Sequence, residues 1–272
     1  MAVSETSKPY VLGGTDTELQ RLLAQIAGLE PQARWLLDQI DIRPGGRAVD
    51  IGCGPLGILD LLSERVGPAG KVVGLERESR FAEMAKDQIA QRNLRNVEIV
   101  QGDALATGLE RESFDLAHER LVLINVPDRA AFITEMLSLV RPGGVIALED
   151  IDNVSWLCEP AHPSWDALYK VFHAVFSAGG GDGFIGRRLV HYLRRAGVQD
   201  IQWKIHADIA PRGYRHTHML SLLESLREKI LKLGLLSEAE LRRHQDALAK
   251  HLDDPDTIVV DKLLVQAWGR KR

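Results

Sequence analysis

Cysteine is nearly absent from this 272-residue chain: Cys53 and Cys158 are the only two, and aromatic residues make up 6%. Two distant thiols lack metal-ligand spacing and give no basis for a disulfide framework, so a reducing compartment is expected. Nor is there an excess of positive charge. With 34 Lys+Arg against 38 Asp+Glu the formal net charge is −4, which argues against nucleic acid as the main partner. The basic tail Gly269-Arg270-Lys271-Arg272 is too short to alter that. No apolar run is long enough to span a bilayer, and residues 1–5 show no charged-then-apolar signal pattern, so no membrane partner and a cytoplasmic location are expected. No His/Asp/Glu cluster has ligand spacing, so no metal is expected.

What the chain does have is 45% hydrophobic residues laid out in an α/β alternation. Strands are expected at 47–51, 71–76, 97–101, 114–118 and 144–150, with helices at 58–66, 79–93 and 128–140 between them. Right-handed crossovers make such strands parallel and gather ligands at their carboxyl ends. Residues 15–43 read as two helices broken at 28–31. Residues 152–197 carry Trp156, Trp165, Tyr169, Phe172 and Phe176, then a glycine loop at 179–183 and a helix over 184–196. A sixth strand follows at 200–209. Two amphipathic helices fill 214–252, joined near Gly234 with Ser237 as N-cap, and a last strand covers 258–268. The expected layout is a helical lid (1–44), a cofactor-binding core (45–151), and the remaining strands of the same sheet with helical insertions at 152–197 and 214–252.

The most informative stretch is Arg47-Ala48-Val49-Asp50-Ile51-Gly52-Cys53-Gly54-Pro55-Leu56-Gly57. Glycines let backbone approach a ligand closely, and the turn aims helix amides at what lies above. Gly52, Gly54 and Gly57 also satisfy the dinucleotide spacing, with Glu76 at the end of the next strand placed for a ribose. Asp50 tilts the reading toward a nucleotide-like cofactor with a free amino group, since a pyrophosphate would be repelled there. Gln101-Gly102-Asp103-Ala104 then places a carboxylate where an adenine amine could donate.

Taken with Phe114-Asp115, 123–128 and 139–144, this ordered set resembles the class I S-adenosylmethionine-dependent methyltransferases, in the branch holding ubiquinone/menaquinone-biosynthesis enzymes and many small-molecule methyltransferases. The likeness covers roughly 45–150. It implies a Rossmann-like seven-stranded, mostly parallel sheet with helices on both faces and a helical cap, and S-adenosyl-L-methionine as cofactor. It also implies that Asp50, Gly52 and Gly54 face the methionine part, that Glu76 takes the ribose hydroxyls, and that Asp103 and Ala104 flank the adenine. Glu119 and Arg120 would lie near the sulfonium. The chain departs from the common pattern at Leu56, where a third close glycine is usual and Gly57 stands one position later. It has Ile124-Asn125 where an apolar-His pair is frequent, so no base is carried over to that position.

The implied reaction is methyl transfer to an O, N or C atom of a small molecule, flat and largely apolar if Trp156 and Tyr169 wall its pocket. Such an acceptor must lose a proton, and histidine suits the task near neutral pH. The weak candidates are His216, His218 and His173, followed by His162 and His206, whereas His118 reads as a satisfied core residue. Tyr10 and Arg21 are the lid residues that could reach the cofactor. Competing readings are a nicotinamide-dependent oxidoreductase with the same glycine spacing, a non-methylating cofactor-binding protein or cyclase, and an RNA methyltransferase. A monomer or homodimer is expected.

Overall fold

Apolar runs and amphipathic segments alternate along the chain as the pattern requires, and a computed structural model describes residues 16–272. The first half contains α1 (Asp16–Gln39), β1 (Arg47–Ile51), α2 (Leu59–Val66), β2 (Lys71–Glu76), α3 (Ser79–Gln91) and β3 (Val97–Gln101). Next come β4 (Phe114–Arg120), α4 (Arg129–Leu139), β5 (Val140–Asp152), β6 (Leu157–Glu159), α5 (Pro163–Ala178), α6 (Leu189–Arg195) and β7 (Gln199–His206). The chain closes with α7 (Tyr214–Ser225), α8 (Arg227–Lys232), α9 (Glu238–Asp253), β8 (Ile258–Val260) and β9 (Leu263–Arg270).

Seven strands form one sheet in the order β3-β2-β1-β4-β5-β9-β7. The first five in that order are parallel, and β9 runs antiparallel to both of its neighbours. The carboxyl ends of β1 to β5 and of β7 therefore share one edge with the start of β9. Period-two alternation splits the core between the two faces of the sheet. Val49, Ala117 and Ile146 pack with α4, α5 and the cap helices. Ala48, Leu116 and Ala147 pack with α1 and α2. Among the described residues no helix is long and apolar enough to cross a membrane.

The helix expected over 184–196 shortens to Leu189–Arg195 behind a 3-10 turn, the strand expected at 200–209 ends at His206, and three larger expectations change. Residues 16–39 form one helix through Gly28 and Pro31 rather than two. An interior proline costs about 3 kcal/mol. Buried Ala33, Leu36 and Leu37 beyond it, and the approach of Arg215 from α7 at Gly28 before it, hold the two halves in line. The last strand is interrupted at Asp261-Lys262, because β8 leaves the main sheet to pair with β6 in a two-stranded ribbon. The cap pair breaks at Leu226 as well as at Gly234, giving α7, α8 and α9. Ser237 does cap α9, in a reciprocal capping box with Glu240.

Candidate active site

The glycine turn is held from below. The amides of Gly52 and Cys53 both donate to Leu75 O, at 2.7 and 3.1 Å. Gly52, Gly54 and Gly57 all have positive φ (71°, 56° and 55°), but they do different work. A Cβ on Gly52 would lie 2.4 Å from Val122, and one on Gly57 would lie 2.2 Å from Asp50 Oδ2. Gly54 has nothing within 4 Å. Open space therefore lies over Gly54, and Leu56 is simply part of the core.

That space belongs to a cavity of about 520 Å³ over the tips of β3, β2, β1 and β4. Gly52, Gly54, Glu76, Asp103, Ala104 and Arg120 all line it. Glu76 Oε2 accepts from Gly54 N and Oε1 from Glu78 N, both at 2.8 Å. Burial pushes its carboxyl up, partly offset by these amides. Asp103 Oδ1 accepts from Leu105 N at 2.8 Å. Leu75, Phe81, Val122 and Val126 supply apolar wall, and Leu22 and Gln25 of α1 close one side. Two atoms on residues of this wall are buried without a hydrogen-bond partner: Arg120 Nη1 and Asn125 Oδ1. Asn125 is not among the sequence candidates: its position is marked there only as one where histidine is frequent, and an amide in its place names no role.

Two implied cofactor residues are not on the cavity wall. Asp50 is 2% exposed, with Oδ1 at 2.8 Å from His118 Nδ1 and Oδ2 accepting from Ile58 N at 3.2 Å. It clamps the start of α2 to the sheet, so that helix amide is already satisfied. The reason is the pleat: Asp50 points to the α1/α2 face, where His118 stands directly opposite on β4. Glu119 is fully buried and accepts from Val122 N and Leu123 N at 3.0 and 3.2 Å. Asp150 accepts from Ile124 N at 2.8 Å. Together these two acids capture three successive amides and shape the loop after β4. Burial raises Glu119 to about 7 and Asp150 well above its usual range. Asp150 was missed, although two acids closing an apolar strand, Glu149-Asp150, were a readable signal.

His118 behaves as the core residue it resembled. Burial lowers its pKa, but hydrogen bonds to Asp50 and, through Nε2 at 2.8 Å, to Glu149 raise it to about 9. Glu149 in turn is held below the carboxylate range, its burial outweighed by His118, Arg120 and Gln266.

The candidate bases separate. His216 is buried and its Nε2 bonds Leu252 O at 2.9 Å, closing the end of α9. Its position two residues from His218 on a helix turns it away from the site. His173 stacks on Phe184, with ring centroids 4.7 Å apart, and lines neither of the two cavities described here. His218 does face a cavity, a second one of about 70 Å³ over the tips of β4, β5, β9 and β7. His206 lies on the same wall. Gln25 and Leu121 line both cavities, so the two share a wall at the end of β4. Trp156 and Tyr169 line neither: Trp156 is packed edge-on to Trp165 and Phe172, and Tyr169 donates to Asn153 O at 2.9 Å. Arg21 is buried against Gln25, at 2.7 Å. Tyr10 lies outside the described residues.

The fold is that of solved methyltransferases. A phosphoethanolamine N-methyltransferase of Haemonchus contortus, solved with phosphomonomethylethanolamine and S-adenosylhomocysteine, superposes with a TM-score of 0.57 at 16% identity, covering 89% of this chain and 53% of that one. A geranyl diphosphate C-methyltransferase of Streptomyces coelicolor gives 0.55 at 16%, covering 97% and 91%. In sequence, a demethylmenaquinone methyltransferase of Bacillus cereus is 37% identical over 111 residues, 40% of this chain and 47% of that protein. The chain spans about half the length of the curated relatives it matches. Residues 42–197 match the family described as Methyltransferase domain, and that is the family to which this chain belongs.

Proposed function

We propose that the larger cavity binds S-adenosylmethionine and that the protein transfers its methyl group to an O, N or C atom of a small molecule. The observation that carries this is the convergence of Gly54, Glu76, Asp103 and Arg120 on one cavity over the strand tips, with an unmet donor on Arg120 (Nη1) and an unmet acceptor on Asn125 (Oδ1) buried in its wall. An amino-acid head offers the complementary carboxylate and amine, and buried polar atoms strongly favour being paired. Arg120 would take the carboxylate and Asn125 the amine. At the other end Glu76 would accept from the ribose hydroxyls, each of its oxygens having lone-pair capacity beyond the amide it already binds. Asp103 would use Oδ2 for the adenine amine and Ala104 its backbone amide. Gly54 would let the nucleoside lie close to the turn.

The cofactor brings an activated methyl on a positively charged sulfur. The chain's own task is to position the acceptor and keep water out, and orientation of this kind supplies about 7–11 kcal/mol when geometry is near ideal. Leu121, Val122 and Val126 provide the dry wall, and α1 would serve as the lid. The dinucleotide reading of the same glycines is disfavoured. Asp50 lies beneath Gly57 and its carboxylate accepts from Ile58 N at the entry to α2, so a pyrophosphate on that helix start would meet a carboxylate there.

Calorimetric titration with S-adenosylhomocysteine and, separately, with NAD is the test. Binding of the former with loss on Arg120→Leu supports the assignment, and binding of NAD alone overturns it.

A further inference from the structure

The smaller cavity carries a feature that nothing in the cofactor site requires. Gln266 is fully buried, and its Nε2 donates to Glu149 Oε2 at 2.6 Å and to Gln32 O at 2.9 Å. Both of those partners are acceptors only, so the amide orientation is fixed and Oε1 must face the other way. There it lies 2.8 Å from His206 Nε2. Since Oε1 can only accept, His206 Nε2 must carry a proton, so that of the two neutral tautomers only the one with a bare lone pair on Nδ1 fits. Nδ1 takes no hydrogen bond among the described residues and is not shut away from solvent. The tautomer of a cavity-wall histidine is thus set from behind through two side chains.

A second observation comes from Lys262, between β8 and β9. Its Nζ sits 4.2 Å from the centre of the Trp156 ring and has no hydrogen-bond or ion-pair partner among the described residues. The neighbouring carboxylates are committed elsewhere. Asp261 receives Arg215 Nε and the Lys262 amide, both at 2.8 Å, and Asp208 receives Arg215 Nη2 at 3.1 Å. Burial, opposed by Asp261 and reinforced by Arg21 and Arg215, lowers Lys262 to about 8. A cation in this position calls for an anionic oxygen and repels an amine. Burial together with the charges of Lys262 and Arg21 holds His218 neutral, with its pKa well below 6.5, which makes it the poorer base.

Resting on the cofactor assignment above, we propose that the smaller cavity receives an ionisable hydroxyl of the methyl acceptor, a phenol or enol, with His206 taking its proton and Lys262 holding the oxygen left behind. The O–H bond breaks, its electron pair stays on oxygen, and the proton goes to Nδ1, leaving an imidazolium protonated on both nitrogens. Gln266 and Glu149 are positioning residues. The order of the strands supports the placement, because the two cavities occupy adjoining stretches of one sheet edge and meet at Leu121. The charged and titratable groups around His206 are Asp208 beyond its own strand, Tyr214, Arg215 and His218 of α7, Asp261 and Lys262 before β9, and Lys204 over the Trp35 ring of α1.

The test uses the full chain saturated with S-adenosylhomocysteine and needs no turnover. Imidazole 15N resonances should show His206 as the Nε2–H tautomer. Adding 4-nitrophenol should protonate Nδ1 while the phenolate absorbance of the probe appears. Lys262→Met should weaken probe binding by about tenfold or more, and His206→Asn should abolish the phenolate signal. Both should leave the affinity for S-adenosylhomocysteine unchanged. Gln266→Leu should mix the two tautomers, a change that a purely structural role would not produce. An Nδ1–H tautomer in the wild type overturns the proposal. So does absence of probe binding by protein that still binds S-adenosylhomocysteine, or equal competition by benzoate, which needs no base. Failure to bind S-adenosylhomocysteine overturns the cofactor assignment itself, a separate result.

Discussion

His118 Nδ1 stands 2.8 Å from Asp50 Oδ1, between two adjacent parallel strands and out of contact with solvent. With Glu149 on its other nitrogen at 2.8 Å, the ring is a doubly anchored cation between two buried carboxylates. Its folded-state pKa of about 9 lies above the ordinary 6.5. The stabilisation it provides is therefore complete below about pH 6.5 and lost as pH rises through 9. Chemical denaturation should show a falling midpoint over that interval. His118→Leu should cost about 3–5 kcal/mol at pH 7, because both carboxylates lose their partner.

Glu119 has the opposite chemistry and the same direction of effect. Burial lifts its carboxyl from 4.5 to about 7, so the folded state binds the proton more tightly than the unfolded one. Stability from this group is full below about pH 4.5 and declines as pH approaches and passes 7. Glu119→Gln should flatten the stability profile between pH 5 and 7.5 in urea titrations. A wild-type slope unchanged in that variant would refute the assignment.

Glu76 fixes the turn and the proposed ribose site at once. Glu76→Gln replaces one acceptor oxygen by a donor facing the amide of Gly54 or Glu78. The affinity for S-adenosylhomocysteine should fall by about 10- to 100-fold, since charge-assisted bonds are roughly twice as strong as neutral ones. Calorimetry measures the affinity, and circular dichroism should show the fold retained.

Gly52 and Gly54 should respond differently to alanine. At Gly52 the added methyl meets Val122 at 2.4 Å, so the loop after β4 must move and stability should drop by about 1–3 kcal/mol. At Gly54 no protein atom lies within 4 Å, so only the left-handed backbone is strained, at about 1–2 kcal/mol. Its methyl stands in the larger cavity, and S-adenosylhomocysteine affinity should suffer more than the melting temperature.

Much of the first half was legible because its strands are short apolar runs punctuated by glycine and acid. The ranges of β1, β2 and β3 are those the pattern gives, and Glu76 and Asp103 fall on one cavity with Gly54. Asp50 and Glu119 were read as ligand contacts because proximity in sequence to a turn does not reveal which face of the sheet a side chain takes. Alternation along β1 sends Asp50 to His118, a pairing that depends on strand order. The unbroken α1 was hidden by Gly28 and Pro31, whose local preference is outweighed by packing against α7 and the sheet. The interrupted final strand needed knowledge of β6, a three-residue partner without a sequence signature. His206 is one of five candidate histidines in the sequence, but its orientation comes from Gln266 sixty residues later, which no local motif records.

Leu121 adopts φ 59° and faces both hollows, so it works as a partition between a nucleoside compartment and its neighbour. Everything that furnishes the nucleoside side comes from α1, the strand tips, the start of α3 and the loop after β4, all before α4, apart from Gly179. Most of what furnishes the other side is encoded after Leu121. A lineage could thus retool the neighbour by exchanging the later half of the gene, with the earlier half left unedited.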